Sequence, residues 1–231
     1  MRITWNTRNL FGGLLLLLSV SLQGQSVSQF GTLPVVNLNI GLSNGWEVNT
    51  KWETRQILST SVDGERLERG FDFALSDHAV VLAKKVGLNS KVAAGYLLRF
   101  RDGDIINRSI QQFSVVQRLR NFRLAHRLAS DQTFVQTEPV EFRLRYRIGT
   151  EFALNGQSAD AEEFYLKLNN EYLASWQGTD FDFEIRAVPV LGYKFTDRNK
   201  LELGLDMRFD SFLNEDLRRR SWGVIAWYYK V

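Results

Sequence analysis

From residue 32 onward, apolar and polar residues alternate, and a period of two is the mark of a β-strand. Val36, Leu38, Ile40 and Leu42 are interleaved with Asn37, Asn39 and Gly41. Asn44-Gly45 follows, a strong hairpin signal. Trp46, Val48, Thr50, Trp52 and Thr54 then alternate with Glu47, Asn49, Lys51, Glu53 and Arg55. A helix cannot use this pattern, because it scatters the apolar residues around a turn of about 3.6 residues. The clearest run is 140–154, with Val140, Phe142, Leu144, Tyr146, Ile148, Phe152 and Leu154 on one face. The other face carries Glu141, Arg143, Arg145, Arg147 and Glu151. At ~3.4 Å per residue that run exceeds about 45 Å, more than soluble sheets ordinarily use. Further strands are predicted over 71–86, 91–101, 109–119, 121–130, 163–176, 181–195, 200–210 and 221–231, separated by turn residues such as Gly87-Leu88-Asn89, Asp102-Gly103, Asn121, Asn155-Gly156 and Asp197-Arg198-Asn199. Pro189 falls inside one of these segments, where it gives no ladder hydrogen bond.

Alternation alone does not say which face is wet. A soluble barrel hides its apolar face, and a transmembrane barrel turns that face to lipid. The strands are long enough to span a bilayer at a tilt of ~45°. Aromatic residues near strand ends (Trp46, Trp176, Phe181, Tyr193) resemble an interfacial girdle. Ile225, Trp227, Tyr229 and Val231 share one face at the C-terminus, the pattern of a signal to the barrel-insertion machinery of Gram-negative outer membranes. The expected fold is therefore all-β, a single antiparallel transmembrane β-barrel. Eleven segments are countable, and bacterial single-chain barrels close with an even number. A short extra strand over Val27–Gly31 gives about 12, with 10 as the alternative. Twelve strands also put the turns at 44–45, 87–89 and 197–199 on one side and longer connections at 59–69 and 211–219 on the other; the short turn at 177–178 does not fit that division.

Two domains of different fate are expected. Residues 1–24 read as a signal peptide: Arg2 and Arg8, the apolar run Leu14–Leu18, then small and polar residues ending at Gly24. Residues 25–231 form the barrel, located in the outer membrane after cleavage. The whole chain has 29 Lys+Arg against 26 Asp+Glu; without Arg2 and Arg8 the balance is 27 against 26. No basic block survives, which excludes nucleic acid as a partner. With Cys 0 there is no disulfide frame and no Cys-ligated metal site.

If the apolar faces meet lipid, a charged lumen remains. It comprises Glu47, Glu53, Arg55, Arg99, Arg123, Arg127, Glu141, Arg143, Arg145, Arg147, Glu151, Lys167, Glu171, Glu184, Arg186, Glu202, Asp206 and Arg208. The arginine row 143–145–147 repels itself and needs carboxylates from adjacent strands, with Glu141, Glu151, Glu171, Glu184 and Glu202 available. Such a lumen is either a structural ion-pair network or a basic constriction for small anionic solutes, since the guanidinium fork suits carboxylate and phosphate. The remaining partners are then outer-membrane lipid and the insertion machinery.

The runs Arg123-Leu124-Ala125-His126-Arg127-Leu128, Phe142-Arg143-Leu144-Arg145-Tyr146-Arg147 and Phe164-Tyr165-Leu166-Lys167-Leu168-Asn169-Asn170-Glu171 resemble a family of outer-membrane barrels. That family is the domain of unknown function 2490, frequent in Bacteroidetes and other Gram-negatives. Leu191-Gly192-Tyr193 and Leu201-Glu202-Leu203-Gly204 fall where the family has later strands. The resemblance covers most of the mature chain. It implies an outer-membrane barrel and no activity, so no catalytic residue is carried over.

Independent catalytic candidates are weak. An outer-membrane lipid hydrolase needs a serine, a histidine and an orienting polar group in contact. Ser130 lies ~13 Å along an extended strand from His126, too far for contact. His78 beside Asp77 reads as a loop or strand-end residue. The acidic groups Asp63, Glu65, Glu68 and Asp160, Glu162, Glu163 lack the spacing of a calcium loop, so no metal or other cofactor is expected. The functional expectation is a structural barrel or narrow pore. A lipid-modifying hydrolase or an accessory subunit of an envelope complex are the alternatives.

Overall fold

The computed structural model describes residues 26–231 apart from 120, 121, 157 and 212–216. The expected signal peptide and its cut after Gly24 therefore lie outside the described residues, as does the turn residue Asn121. Among the described residues the chain is all-β and forms a closed barrel of eleven strands in sequence order. These are β1 (Val27–Gly41), β2 (Trp46–Val62), β3 (Glu65–Lys85), β4 (Ser90–Arg101), β5 (Asp104–Arg118), β6 (Arg123–Phe134), β7 (Glu141–Ala153), β8 (Glu163–Gln177), β9 (Asp180–Lys194), β10 (Asn199–Asp210) and β11 (Arg218–Lys230).

Each strand pairs antiparallel with the next, and the ring closes where β1 meets β11 in parallel, from Val27 opposite Arg218 to Asn39 opposite Lys230. Parity requires this seam: in an up-and-down meander of eleven strands, the first and last point the same way. The stretch Val27–Gly31, expected as a separate strand, is the leading part of β1, set off by a bulge at Phe30/Gly31.

Tight turns join the strands at both rims, so turn length does not divide them as expected. Asn44-Gly45, Asp63-Gly64 and Asp102-Gly103 all take positive φ, the left-handed backbone that tight hairpin turns use and that Gly, Asn and Asp tolerate. The segment 59–69, expected as a long connection, is instead the end of β2, the turn at Asp63-Gly64 and the start of β3. Register shifts at Arg55/Gln56, Ile57/Ser59 and Thr60/Ser61 break its alternation and hide the strands from a periodic reading.

The prolines sit where the ladder does not need them. Across β9 and β10 the paired residues pass from Val190 to Ala187, skipping Pro189. Across β1 and β2 they pass from Thr32 to Val35, skipping Pro34. The missing N–H therefore falls in a gap in each case.

The wall has one apolar and one charged face. Exposed on the outside are Val36, Ile40, Trp52, Val80, Leu98, Phe113, Leu128, Leu144, Leu166, Leu191, Leu203 and Ile225. Aromatic pairs cluster toward the two rims on this face. Phe164–Tyr193, Tyr193–Phe195, Phe122–Phe152 and Trp227–Tyr229 lie near the rim that holds the C-terminus, and Trp176–Phe181 lies near the other. The opposite face is the interior, because its side chains meet over intervening strands. Lys167 on β8 reaches Glu202 on β10 at 2.5 Å and lies 5.6 Å from the Tyr228 ring of β11.

Two inward aromatic rings lie flat on glycines. Tyr165 of β8 crosses Gly192 of β9 to donate its hydroxyl to Glu202 of β10 at 2.7 Å. A Cβ on Gly192 would stand 2.2 Å from the Tyr165 ring. Trp222 of β11 likewise covers Gly31 of β1, where a Cβ would lie 2.7 Å from the indole. Around Trp222 gather Leu33, Val35 and Ala226, an apolar cluster inside the seam.

Gly192→Val should destabilise the barrel by roughly 3 kcal/mol, combining overpacking with the lost Tyr165–Glu202 bond. Tyr165→Phe, which keeps the ring, should cost about 1.5 kcal/mol. Urea titration in detergent micelles, followed by tryptophan fluorescence, reads both.

Candidate functional site

The interior is where this fold concentrates chemistry. A barrel of eight strands is just wide enough for side chains to fill it. Eleven strands leave a wider bore, and only long side chains reach its axis. Arginine, lysine, glutamate, tyrosine and tryptophan supply that length here, and their polar ends must then be paired.

Two carboxylates organise one half of the bore. Asp131 of β6 is completely buried, at 0% exposure, and accepts from Arg143 at 3.1 Å and Arg145 at 2.9 Å on β7. Glu171 of β8 gathers arginines from the strands on either side. Arg147 lies at 2.8 Å, Arg186 at 3.1 Å, Arg127 at 3.3 Å and Arg145 at 3.9 Å. Arg143 also stands 3.8 Å from Glu141. The repulsion along 143–145–147 is thus answered by Asp131, Glu171 and Glu141.

The other half carries a second chain of pairs. Asp77 of β3 receives Arg99 of β4 in a two-pronged contact, both bonds 2.7 Å. Glu53 binds Lys51 at 2.8 Å and Arg55 at 2.7 Å. Arg208 holds Asp206 at 2.6 Å, and Glu184 holds Arg186 at 2.6 Å and stands 3.7 Å from Arg220. Arg220 is itself bonded to Asp210. Glu202 collects Lys167, Lys200 at 3.0 Å and Tyr165. Toward the rim with the C-terminus, Glu47 binds Lys91, and Arg123 stands 3.7 Å from Glu151.

Residues 30–217, from within β1 to the residue before β11, match the family described as Protein of unknown function (DUF2490). The chain belongs to that family. No curated protein and no solved structure matches it.

Each of the eighteen charged residues named from the sequence takes part in an ion pair in the DUF2490 barrel. Glu151, Glu184 and Glu202 answer other cations than the 143–145–147 row. Periodicity misses Asp77, Arg108, Asp131, Asp210 and Arg220, yet all but Arg220 are buried. The reason is local. Around Asp131 the outward positions are Ser130 and Gln132, around Arg108 they are Asn107 and Ser109, and around Asp77 they are Ser76 and His78. Where both faces are polar, alternation no longer marks which residues point inward. Pairing partners carry the missing signal, since Asp131 stands directly opposite Arg143.

Arg108 is 6% exposed and donates to Thr133 Oγ1 at 2.9 Å, with no carboxylate within 4 Å among the described residues. It leaves a positive charge in the interior unanswered. A cavity of about 280 Å³ opens near the rim with the C-terminus, bordered by Asn37, Asn39, Lys194, Lys200, Tyr228 and Lys230.

The two histidines face outward. His126 lies 2.8 Å from the Tyr146 hydroxyl through Nδ1, and the nearest candidate nucleophile on its strand, Ser130, donates to Gln111 instead at 2.7 Å. His78 is not a loop or strand-end residue: it lies within β3, stacked on Trp52 at 5.0 Å and edge-on to Phe100 at 5.7 Å. Among the described residues no group of three His, Asp or Glu side chains is arranged to hold a metal ion.

Glu171→Gln should lower stability by about 3 kcal/mol, because it leaves several partly buried arginines without their shared carboxylate at once. Asp102→Asn, at an exposed pair with Arg101, should change it by no more than about 0.5 kcal/mol. The midpoint of urea unfolding in micelles distinguishes the two.

Proposed function

We propose that the protein is an outer-membrane β-barrel of a Gram-negative envelope, inserted after removal of residues 1–24, and that it acts as a closed structural barrel. The observation that carries this reading is the inversion of the wall. Apolar side chains face outward all round the ring, and most of the inward carboxylates and Arg55, Arg108 and Arg208 are buried within it. In water such a barrel would expose its apolar face and bury its charges, against both terms of burial free energy. In a bilayer the same arrangement is favourable. Rim aromatics and strands of 12 to 21 residues support it, since a spanning strand needs about 9–11. The outward residues Ile225, Trp227, Tyr229 and Val231 suit recognition by the insertion machinery.

The closed state rests on the packing of the bore. Asp77, Asp131, Glu171, Glu202, Tyr165 and Trp222, contributed from around the ring, are all 3% exposed or less. A solute path would have to displace ion pairs held by several strands.

A second reading, a narrow path for small anions, draws on Arg108, whose charge is unanswered. The hydrolase alternative draws no support from His126, whose ring contacts Tyr146 and no serine.

Quenching by lipids brominated along their chains tests the membrane reading. A chain keeping only Trp176 should be strongly quenched, and one keeping only Trp222 should not. Equal, weak quenching of both would overturn it in favour of a soluble barrel. Planar-bilayer recording tests closure: the refolded protein should be silent. Steady steps with anion preference, abolished by Arg108→Gln, would establish the second reading instead.

A further inference from the structure

The outer wall of β5 and β6 interrupts its apolar surface with a polar island. Ser109 and Gln111 of β5 face outward beside Gln132 and Ser130 of β6, with which they pair in register. The Gln111 amide donates to Gln132 Oε1 at 3.1 Å, and the Gln132 amide donates to Gln111 Oε1 at 3.2 Å. Ser130 donates to Gln111 Oε1 at 2.7 Å, and Ser109 donates to Gln132 Oε1. Next to them Tyr96 donates its hydroxyl to Asn107 at 3.1 Å. The island is ringed by exposed Ile105, Phe113, Leu128, Phe134, Phe142 and Leu144.

Such a surface is out of place against hydrocarbon. Each amide nitrogen carries two hydrogens and spends one within the island; each serine oxygen can accept and, as a donor here, still does not. Lipid tails satisfy none of these groups, and an unsatisfied amide or hydroxyl costs several kcal/mol in a medium that cannot hydrogen-bond. A second outward polar group lies on β1 and β2. Thr32 donates to Gln56 at 2.6 Å and Gln56 to Thr54 at 3.0 Å, with the atoms half-buried.

Resting on the membrane reading above, we infer that this island is the centre of an interface with a second copy of the same chain. The chemistry selects the occupant. The island is uncharged, so it offers no ion pair to a cationic or anionic partner. Its unused groups are amide donors and serine acceptors together, so the patch complements itself. Two barrels inserted in the same orientation are related by a twofold axis along the membrane normal, which brings one patch onto its own copy. The small serines allow the walls to approach, and the ring of Phe and Leu side chains packs around the polar centre and excludes lipid.

The chain has no cysteine, so a single introduced thiol reports on contact. Ser130→Cys, in the full mature barrel reconstituted in phosphatidylethanolamine–phosphatidylglycerol vesicles, should form a disulfide-linked dimer on mild oxidation. Leu203→Cys, exposed on β10 at the far side of the ring, should stay monomeric. Adding Gln111→Leu and Gln132→Leu to Ser130→Cys should abolish most of the dimer, while the heat-dependent gel shift shows the barrel still folded. Equal linkage at 130 and 203, or linkage that survives the double Leu change, would overturn the inference. So would a monomer mass for the unmodified protein by light scattering in micelles, or linkage of the thiol at position 130 to a different polypeptide in native membranes. Flotation with the vesicles separates the two levels: an inserted barrel that does not link refutes the interface alone, whereas a barrel that fails to float refutes the membrane reading and the interface with it.

Discussion

The inward carboxylates hold the barrel as a unit. Backbone ladders join only neighbouring strands, and they alone leave a flexible ring. Glu171 binds arginines from β6, β7 and β9, and Glu202 binds side chains from β8 and β10. These contacts tie together strands that share no ladder. Removing a single carboxylate therefore unbalances several cations rather than one, which is why buried ion networks are costly to break even when they contribute little on formation.

Strand register serves the same end. A slip of one residue would turn a strand's inward charges outward and its outward leucines inward. The register is pinned by fits between shape and backbone: Tyr165 on Gly192, Trp222 on Gly31, and Pro34 and Pro189 in ladder gaps. Glycine matters at these places because an inward ring must cross a neighbouring strand to reach its partner two strands away. The bulges in the β1–β2–β3 region, in turn, let long strands curve where the parallel seam closes the ring.

The bore is spent on its own ion pairs, apart from the unanswered charge of Arg108. The outer wall is largely apolar, and the island of β5 and β6 interrupts it. On the proposed membrane reading, a barrel with an occupied interior would act through its outside, and lipid would be a poor solvent for that island.

The alternation of residues determined the all-β class, most strand positions and the split into an apolar and a charged face, because a period of two is a local property of extended chain. It also grouped eighteen charged residues on one face of their strands, since parity is readable one strand at a time. Asp131, Arg108 and Asp77 escaped, because outward serine, asparagine and histidine neighbours erase the contrast on which parity depends. The strand count was ambiguous for a related reason: whether Val27–Gly31 is a strand or the start of one depends on what pairs beside it. Tertiary structure alone decided the pairing of each charge, the parallel seam and the meeting of Ser109, Gln111, Ser130 and Gln132. These features join residues on different strands, and the closure of the ring, which no local stretch encodes, sets their distances.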